Sequence, residues 1–595
     1  MSLPDPRLLP GQVRRAAAQA AHEAYDIAPW PDLEYFNDGP CSAHDTAAAS
    51  CRSCGLVPRR HQRTGAAWAY LSMKGLIADS VGTGKTAICA LVLAMCKQND
   101  ELSVSNRALV VCQAAAVGQI TGQLRRLLPA VPVVSAAGTV TQRTKAYLSS
   151  WEVAVVSSAT LAPTRSQGGD LELLEDFPVG ILFYDDLDPM RNRTTRTSYA
   201  IRHLASRASR VHGLHATPLQ KRLPELYCFT EPVGSREVFG SLEEVRQRYV
   251  TQEKFTIWVP VRKAWPSERN AWAVRQGFAT YHALEAKAAE DQKAGVAVKA
   301  SKARALVSDV HAGRKSLQRV LWKDGGVNTD RLPEFQRLLA PMVLRRTASD
   351  MDDTPTPEPV VDEVWVELAA AQRARYDELK KGVRRRLRNG TAEVSHAEAA
   401  AAWTFGAQIC SGLAALDDGA GGDVSVKLDR VMDLVTGDLS EEKVVVYVHY
   451  KPNVAALSAR LEAAGVGHVL FWSAENDAGL REARRRQFWE DPDCRVLVGT
   501  TTIERSLDLQ VSRHLLAVDT ILNASRMTQL LGRIQRQGSA YPQVFLHHFL
   551  AYGTQEAAYP QMLAAEAGMT DAVWNEEAAI FRSRTPRQVL EAIAA

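Results

Sequence analysis

The 595-residue chain has no apolar run near the ~20 residues that a membrane-spanning helix requires. Its first stretch, MSLPDPRLLPGQVRRAAAQAAHEAYD, lacks the apolar core of a secretion signal. Both absences argue against a membrane protein and lead us to expect a cytoplasmic one. Charge of one sign is also scarce. Lys and Arg number 71 and Asp and Glu 67, leaving a net charge of +4, so affinity for a polyanion has to come from local basic patches. No repeat of about 20–50 residues is found, which argues against solenoids and propellers. Cysteine is sparse, at nine. Cys89, Cys96, Cys112, Cys228, Cys410 and Cys494 stand singly in apolar surroundings and read as buried thiols.

Two stretches of alternating apolar runs and helical segments are present. From about 56 to 230 the runs are Leu76–Ala78, Ala108–Cys112, Val153–Val156, Ile181–Tyr184 and Val211–Leu214. From about 425 to 560 they are Val444–Val448, His468–Phe471, Arg495–Val498, Leu515–Val518 and Val544–Phe549. Strands that are apolar throughout are buried on both faces, which implies parallel sheets covered by helices. Ligand chemistry then gathers at the carboxyl ends of the strands. Residues 235–345 and 360–415 read as mostly helical, with DDGAGGD (417–423) as a linker. The last 40 residues also read as helical. Trp258, Trp265, Trp272 and Trp322 read as core residues of the insertion.

Residues 76–86, LIADSVGTGKT, follow a strand and open a helix. Gly82, Thr83 and Gly84 allow a tight backbone path that points N–H groups at phosphate oxygens. Lys85 reaches the terminal phosphates and Thr86 suits magnesium. Asp185 and Asp186 at the next strand end suit a magnesium ligand beside a water-orienting base. Far downstream, in QLLGRIQRQG, Gln529, Arg533 and Arg536 fall at spacings of four and three, one face of a helix. Arginines placed there would stabilise charge on a phosphoryl group in flight.

These motifs, in this order, resemble the Swi/Snf-type ATPases of helicase superfamily 2 over roughly residues 56–550. LVPRRHQRTGAAW (56–68) resembles that family's Gln-bearing segment, which implies that Gln62 reads adenine. An Asp at position 79 is usual in the family's phosphate loop, so Asp79 joins the nucleotide-binding set. LHATPLQKRLPEL (214–226) and PMVLRRTASDM (341–351) are further matches, as are SVKL (425–428), VVVYVHY (444–450) and VDTILN (518–523). Three departures stand out: Asp186 replaces Glu, Asp188 replaces His, and TTTIERSLDLQ (500–510) lacks the family's glycines. In that last segment the general superfamily form implies Arg505 near the phosphates and Asp508 on the ribose. By motif, Gln113, Ser158, Thr217, His449, Tyr450 and Thr501 would contact a DNA backbone. A basic run, Lys380, Lys381, Arg384, Arg385, Arg386 and Arg388, is either a solvated helix face or a second phosphate track.

Cys41-x-x-His44 and Cys51-x-x-Cys54 form two ligand pairs separated by six residues. Four soft ligands so spaced suit one structural zinc ion. The expected architecture is therefore α/β, with two RecA-like parallel-sheet lobes, helical insertions and a small N-terminal zinc element. Its divisions are 1–55 (zinc element), 56–234 (first lobe), 235–345 (helical insertion), 346–424 (helical linker), 425–555 (second lobe) and 556–595 (C-terminal helix). The expected ligands are ATP, magnesium and zinc, and the expected partner is duplex DNA, with a protein displaced from it. We expect a monomer of bacterial or bacteriophage type. The expected activity is ATP-driven movement on duplex DNA. The alternatives are a strand-separating helicase in phage replication, repair or defence, and a zinc-bearing DNA-binding scaffold with a weakened ATPase.

Overall fold

The computed structural model describes residues 33–39, 42, 54–161, 168–220, 222–347, 350–351, 357–388, 396–416, 422–472, 478–504, 507–521, 523–536, 539–564 and 586–594. In chain order its strands are β1 (Lys74–Ile77), β2 (Arg107–Cys112), β3 (Val133–Ala136), β4 (Val153–Ser157), β5 (Val179–Asp185), β6 (Arg210–Leu214), β7 (Val250–Pro260) and β8 (Ser316–Val327). There follow β9 (Val343–Leu344), β10 (Glu358–Val366), β11 (Val444–Tyr447), β12 (Gly467–Phe471), β13 (Cys494–Gly499), β14 (His514–Ala517) and β15 (Gln543–Ala551).

Two parallel sheets carry the chain, as the apolar runs imply. The first has the order β3-β4-β2-β5-β6-β1-β9 and the second β10-β15-β14-β11-β13-β12. Every paired neighbour in both is parallel. Helices such as Lys85–Gln98 cover the first sheet, and its buried side chains Ile88, Leu91 and Leu93 join those of β2 and β5 in one core. The second sheet has a core on each face, built around Val444, Val446 and Val498 on one side and Val445, Leu497 and Leu515 on the other.

The insertion is not wholly helical. Residues Val250–Gly326 form a separate compact unit. Two long strands, β7 and β8, pair within it as a two-stranded sheet. Three helices, Pro266–Arg275, Tyr281–Lys293 and Lys302–His311, accompany them. Val259, Trp272, Leu284 and Val310 make its core. Trp272 is buried as expected, but Trp265 is 59% exposed. It is the N-cap of the helix that begins with Pro266.

The segment read as a helical linker also departs from expectation. Glu358–Val366 is β10, the edge strand of the second sheet, paired with β15 along its whole length. Glu358, Asp362 and Glu363 are exposed on it, so charged residues interrupt the apolar ones, as an edge strand allows and its centrally placed neighbours do not. The helices Ala370–Arg388 and His396–Ser411 follow it. They pack with the C-terminal helix Pro586–Ala594 through Tyr376, Val383, Ile409, Leu590 and Ile593.

One buried ion pair closes the first sheet around its phosphate loop. β9 adds to β1, and the next residues keep pace: Ala78 N–H donates to Leu344 O at 2.7 Å and Ser80 N–H to Arg346 O at 3.0 Å. Arg346 Nε and Nη2 donate to the two Asp79 oxygens at 3.0 and 2.5 Å. Its Nη1 donates to His61 O at 2.6 Å and Thr64 Oγ1 at 2.9 Å. Asp79 is fully buried and Arg346 nearly so. One guanidinium thus ties the helix Arg60–Ser72, the loop after β1 and the strand returning from the insertion.

Removing one member of such a pair leaves an uncompensated buried charge, which costs ~3–5 kcal/mol. Arg346→Met is therefore expected to lower unfolding stability by about that much in urea titration at neutral pH. Asp79→Leu added to it should recover most of the loss. A loss under about 1 kcal/mol for Arg346→Met would mean that the charge pair contributes little.

Candidate active site

The loop after β1 runs from Asp79 to Gly84, and the helix Lys85–Gln98 starts directly behind it. Gly82 and Gly84 take φ of +81° and +79°, the left-handed region that costs a side chain dearly. Gln62, on the first turn of Arg60–Ser72, accepts from Arg59 N–H at 3.0 Å and donates through Nε2 to Thr83 O at 3.1 Å. His61 Nε2 donates to the same oxygen at 2.9 Å. A Cβ on Gly84 would overlap Gln62 Nε2. Lys85 Nζ donates to Asp79 O at 2.8 Å and Ser80 O at 2.9 Å, holding the loop from within. Burial lowers its pKa.

β5 ends at Asp185, and Asp186 turns the chain with φ +50°, a strained value that Asp tolerates better than most residues. Two bonds hold the turn. Asp186 N–H donates to Leu214 O at 2.8 Å, and Gln113 Nε2 donates to Asp186 O at 2.6 Å. Burial and then the Asp186 charge push Asp185 up to about 7. A carboxyl so placed gains from a cation beside it.

The second sheet supplies the opposite wall. The helix Ala524–Leu531 carries Gln529 but ends before the arginines. A helix through Arg536 was expected; instead Arg533 N–H and Ile534 N–H close tight turns on Leu530 O and Leu531 O, and Arg533 O accepts from Leu509 N–H at 3.0 Å. Those bonds hold the chain in the turn. Arg533 Nε donates to Glu504 O at 3.0 Å, and Arg536 Nη2 donates to Leu507 O at 3.1 Å. Burial and then the Arg536 charge push Arg533 down to about 10, so it stays cationic at neutral pH.

The walls enclose one cavity of about 360 Å³. Gln62, Gly82, Thr83, Gly84, Lys85, Thr86, Asp185 and Asp186 line it from the first sheet, and Asp508, Gln529, Arg533 and Arg536 from the second. The lobes touch directly here. Gln529 Nε2 donates to Thr217 Oγ1 at 2.8 Å, and Asn523 Nδ2 to Gln220 Oε1 at 3.2 Å. A Cβ on Gly532 would overlap Val81 of the phosphate loop.

Several expected site residues lie elsewhere. The Asp79 side chain is taken by Arg346 and does not line the cavity; only its carbonyl serves the loop, through Lys85. Gln113, expected on DNA, is among the residues that line this cavity. Thr217 faces Gln529. Ser158 is buried at the end of β4. His449 is exposed, with its N–H donating to Asp519 Oδ2 at 2.7 Å; Tyr450 and Thr501 are half-buried. Of the basic run, Arg384 donates to Ala594 O at 2.8 Å and Arg386 pairs with Glu398 at 3.5 Å, while Lys381, Arg385 and Arg388 are exposed. Cys41, His44, Cys51 and Arg505 lie outside the described residues. Cys54 is described and fully buried. Among the described residues there is no cluster of metal ligands, and no helix is long and apolar enough to cross a membrane. Arg59, Gln119, Gln123 and Arg126 also line the cavity. The last three sit at helical spacing on Val117–Leu127, a polar stripe on an amphipathic helix that sequence alone reads as a solvated face.

The SNF2-related domain family matches residues 61–413, and the helicase conserved C-terminal domain matches residues 426–538. The first match covers more than half of the chain, and the chain belongs to the SNF2-related family, an ATP hydrolase by class. Over 161 residues it is 26% identical to YqhH of Bacillus subtilis (strain 168), called an uncharacterized ATP-dependent helicase. That stretch is 26% of this chain and 25% of YqhH. The Sulfolobus solfataricus SWI2/SNF2 ATPase core in complex with dsDNA aligns at 15% identity and a TM-score of 0.37, over 92% of this chain and 97% of that one. The same organism's SWI2/SNF2 ATPase core domain aligns at 15% identity and a TM-score of 0.33, over 89% and 93%.

Gly84→Ala would force a Cβ into both an unfavourable φ and Gln62 Nε2. The expected result is a loss of affinity for a fluorescent ATP analogue of at least about tenfold. Unchanged binding would remove the loop from the site.

Proposed function

We propose that this chain is a DNA-stimulated ATPase that moves along duplex DNA and displaces or remodels protein bound there. The observation that carries the reading is the shared cavity: Lys85 and the acids Asp185 and Asp186 face Arg533 and Arg536 across the two lobes. ATP suits the residues present: Gly82 and Gly84 take positive φ and Gly84 has no space for a Cβ beside Gln62, and glycine turns of this kind present N–H groups to phosphate.

In this reading Gln62 meets the adenine, Asp508 the ribose, and Lys85 the terminal phosphates. Thr86 and Asp185 would hold magnesium, which neutralises phosphate charge. Asp186 orients a water on the γ-phosphorus and accepts its proton as the new P–O bond forms and the bond to the β-phosphate oxygen breaks. Arg533 and Arg536 balance the negative charge that builds on the phosphoryl oxygens. Because these arginines belong to the other lobe, loss of the γ-phosphate removes a reason for the lobes to stay together. Thr217, whose hydroxyl accepts from Gln529 across the cleft, is where such movement reaches the next motif. Support for DNA as the track comes from membership of the SNF2-related family and from the exposed cations Lys381, Arg385 and Arg388.

Phosphate release measured without nucleic acid and with single-stranded DNA, duplex DNA and RNA tests this reading. Duplex DNA is expected to stimulate most. Triplex displacement with little fork unwinding is the expected companion result, whereas efficient unwinding would favour a strand-separating helicase. Lys85→Ala and Arg536→Ala should each lower turnover by about 10³-fold while leaving the circular dichroism spectrum unchanged. Retained turnover in either would overturn the site.

We also propose that Cys41, His44, Cys51 and Cys54 hold one structural zinc ion, on the ligand spacing. Metal analysis should find one zinc per chain, and none after Cys51→Ser. Folded, zinc-free native protein would end that reading.

A further inference from the structure

His215 ends the run of β6 and is buried to 1% exposure, edge-on to Phe229 with ring centroids 4.5 Å apart. Its Nδ1 accepts from Thr217 N–H at 3.1 Å, so the ring proton of the neutral imidazole sits on Nε2. Burial lowers the pKa and keeps the ring neutral. Nε2 lies 3.5 Å from Asp186 Oδ1 and 3.7 Å from Asp188 Oδ1. It makes a hydrogen bond to neither, and it has no other partner among the described residues. A buried donor left unmade costs ~1–3 kcal/mol and calls for a reason.

The surroundings supply one. Asp188 Oδ1, the oxygen nearest His215 Nε2, accepts from Arg191 Nε at 3.1 Å, and Arg191 also donates to Thr217 O at 2.7 Å and Pro218 O at 3.1 Å. Thr217 therefore carries three contacts at once: its N–H to His215, its carbonyl to Arg191 and its hydroxyl to Gln529 of the second lobe. The chain has Asp188 where the family has histidine, and an imidazole approaches this acid and Asp186 from position 215.

We propose that His215 is a positioning residue that couples Asp186 to the bond between the lobes, its Nε2–H moving between the Asp186 and Asp188 carboxylates. When Nε2–H closes on Asp186, that acid is held for its water. When it closes on Asp188, the ring turns and carries the Thr217 backbone with it, altering the hydroxyl offered to Gln529. One donor facing two acceptors is the two-state element that such coupling requires. The inference rests on the reading of Asp186 as the residue that orients water.

Steady-state turnover with saturating duplex DNA tests it in four variants: His215→Phe, His215→Gln, Gln529→Ala and the His215→Phe/Gln529→Ala double. His215→Phe keeps a flat ring but removes the donor, and is expected to lower kcat by about tenfold or more with KM for ATP within about twofold. His215→Gln, which restores an N–H, should recover at least about threefold of that loss. In the double variant the two losses should overlap, so that His215→Phe costs less than about twofold once Gln529 is gone. Equal losses for Phe and Gln, or losses that multiply, would overturn the coupling. If His215→Phe melts below the assay temperature, the same cycle built with His215→Gln carries the test. Lys85→Ala is run alongside. If it retains turnover, the hydrolysis site itself is misread. If it is inactive while His215→Phe behaves as wild type, only the coupling falls.

Discussion

The Asp79–Arg346 pair is the constraint on which the rest of the molecule depends. Its members are 267 residues apart in sequence, and an independent compact unit is inserted between them. The pair makes the returning strand β9 part of the first sheet and fixes the backbone from which Lys85 and the glycine turn follow. The same guanidinium holds His61 O and Thr64, so the helix bearing Gln62 is registered against the loop by one group. A charge buried without a partner is expensive, so the loop has one arrangement of low energy, already shaped for an anion.

Around that fixed loop the site is electrostatically incomplete. Burial and then the Asp186 charge raise Asp185, and burial and then the Arg536 charge lower Arg533. Lys85 satisfies itself on carbonyl oxygens of its own loop. In the proposed reading a triphosphate with its cation would relieve each of these tensions, the acids gaining a metal and Lys85 and the arginines phosphate oxygens. Such a ligand would draw the two walls together through charges that each lobe, alone, holds at a cost.

Much of this was legible in the residues, and the gaps have physical reasons. Runs such as ALVVC and VVVYV read as strands because both faces are buried. VPVVSA, which forms β3, is short and half-exposed, and β10 is an edge strand with charged residues between its apolar ones. Neither looks like a central parallel strand. The segment 76–86 and the acids Asp185 and Asp186 are local patterns, legible from their own neighbours. The arginine segment reads as a helix through Arg536, yet the helix stops at Leu531, because the turn after it is held by Leu509 N–H, a contact remote in sequence. The pairing of Asp79 with Arg346 is illegible because the two lie far apart along the chain. Only the fold turns Gln113 onto the carbonyl of Asp186. His215 falls inside LHATPLQKRLPEL, but nothing local singles it out, since the two acids beside it follow another strand.

The distance between two anchors sets a mechanical limit. Arg346 is pinned in the first sheet, and Glu358, twelve residues later, begins the edge strand of the second. Even fully extended, such a leash reaches only about 40 Å. In the proposed cycle the lobes could move apart only as far as that short strap allows, so its stroke would be bounded by covalent chain and not by contact strength alone.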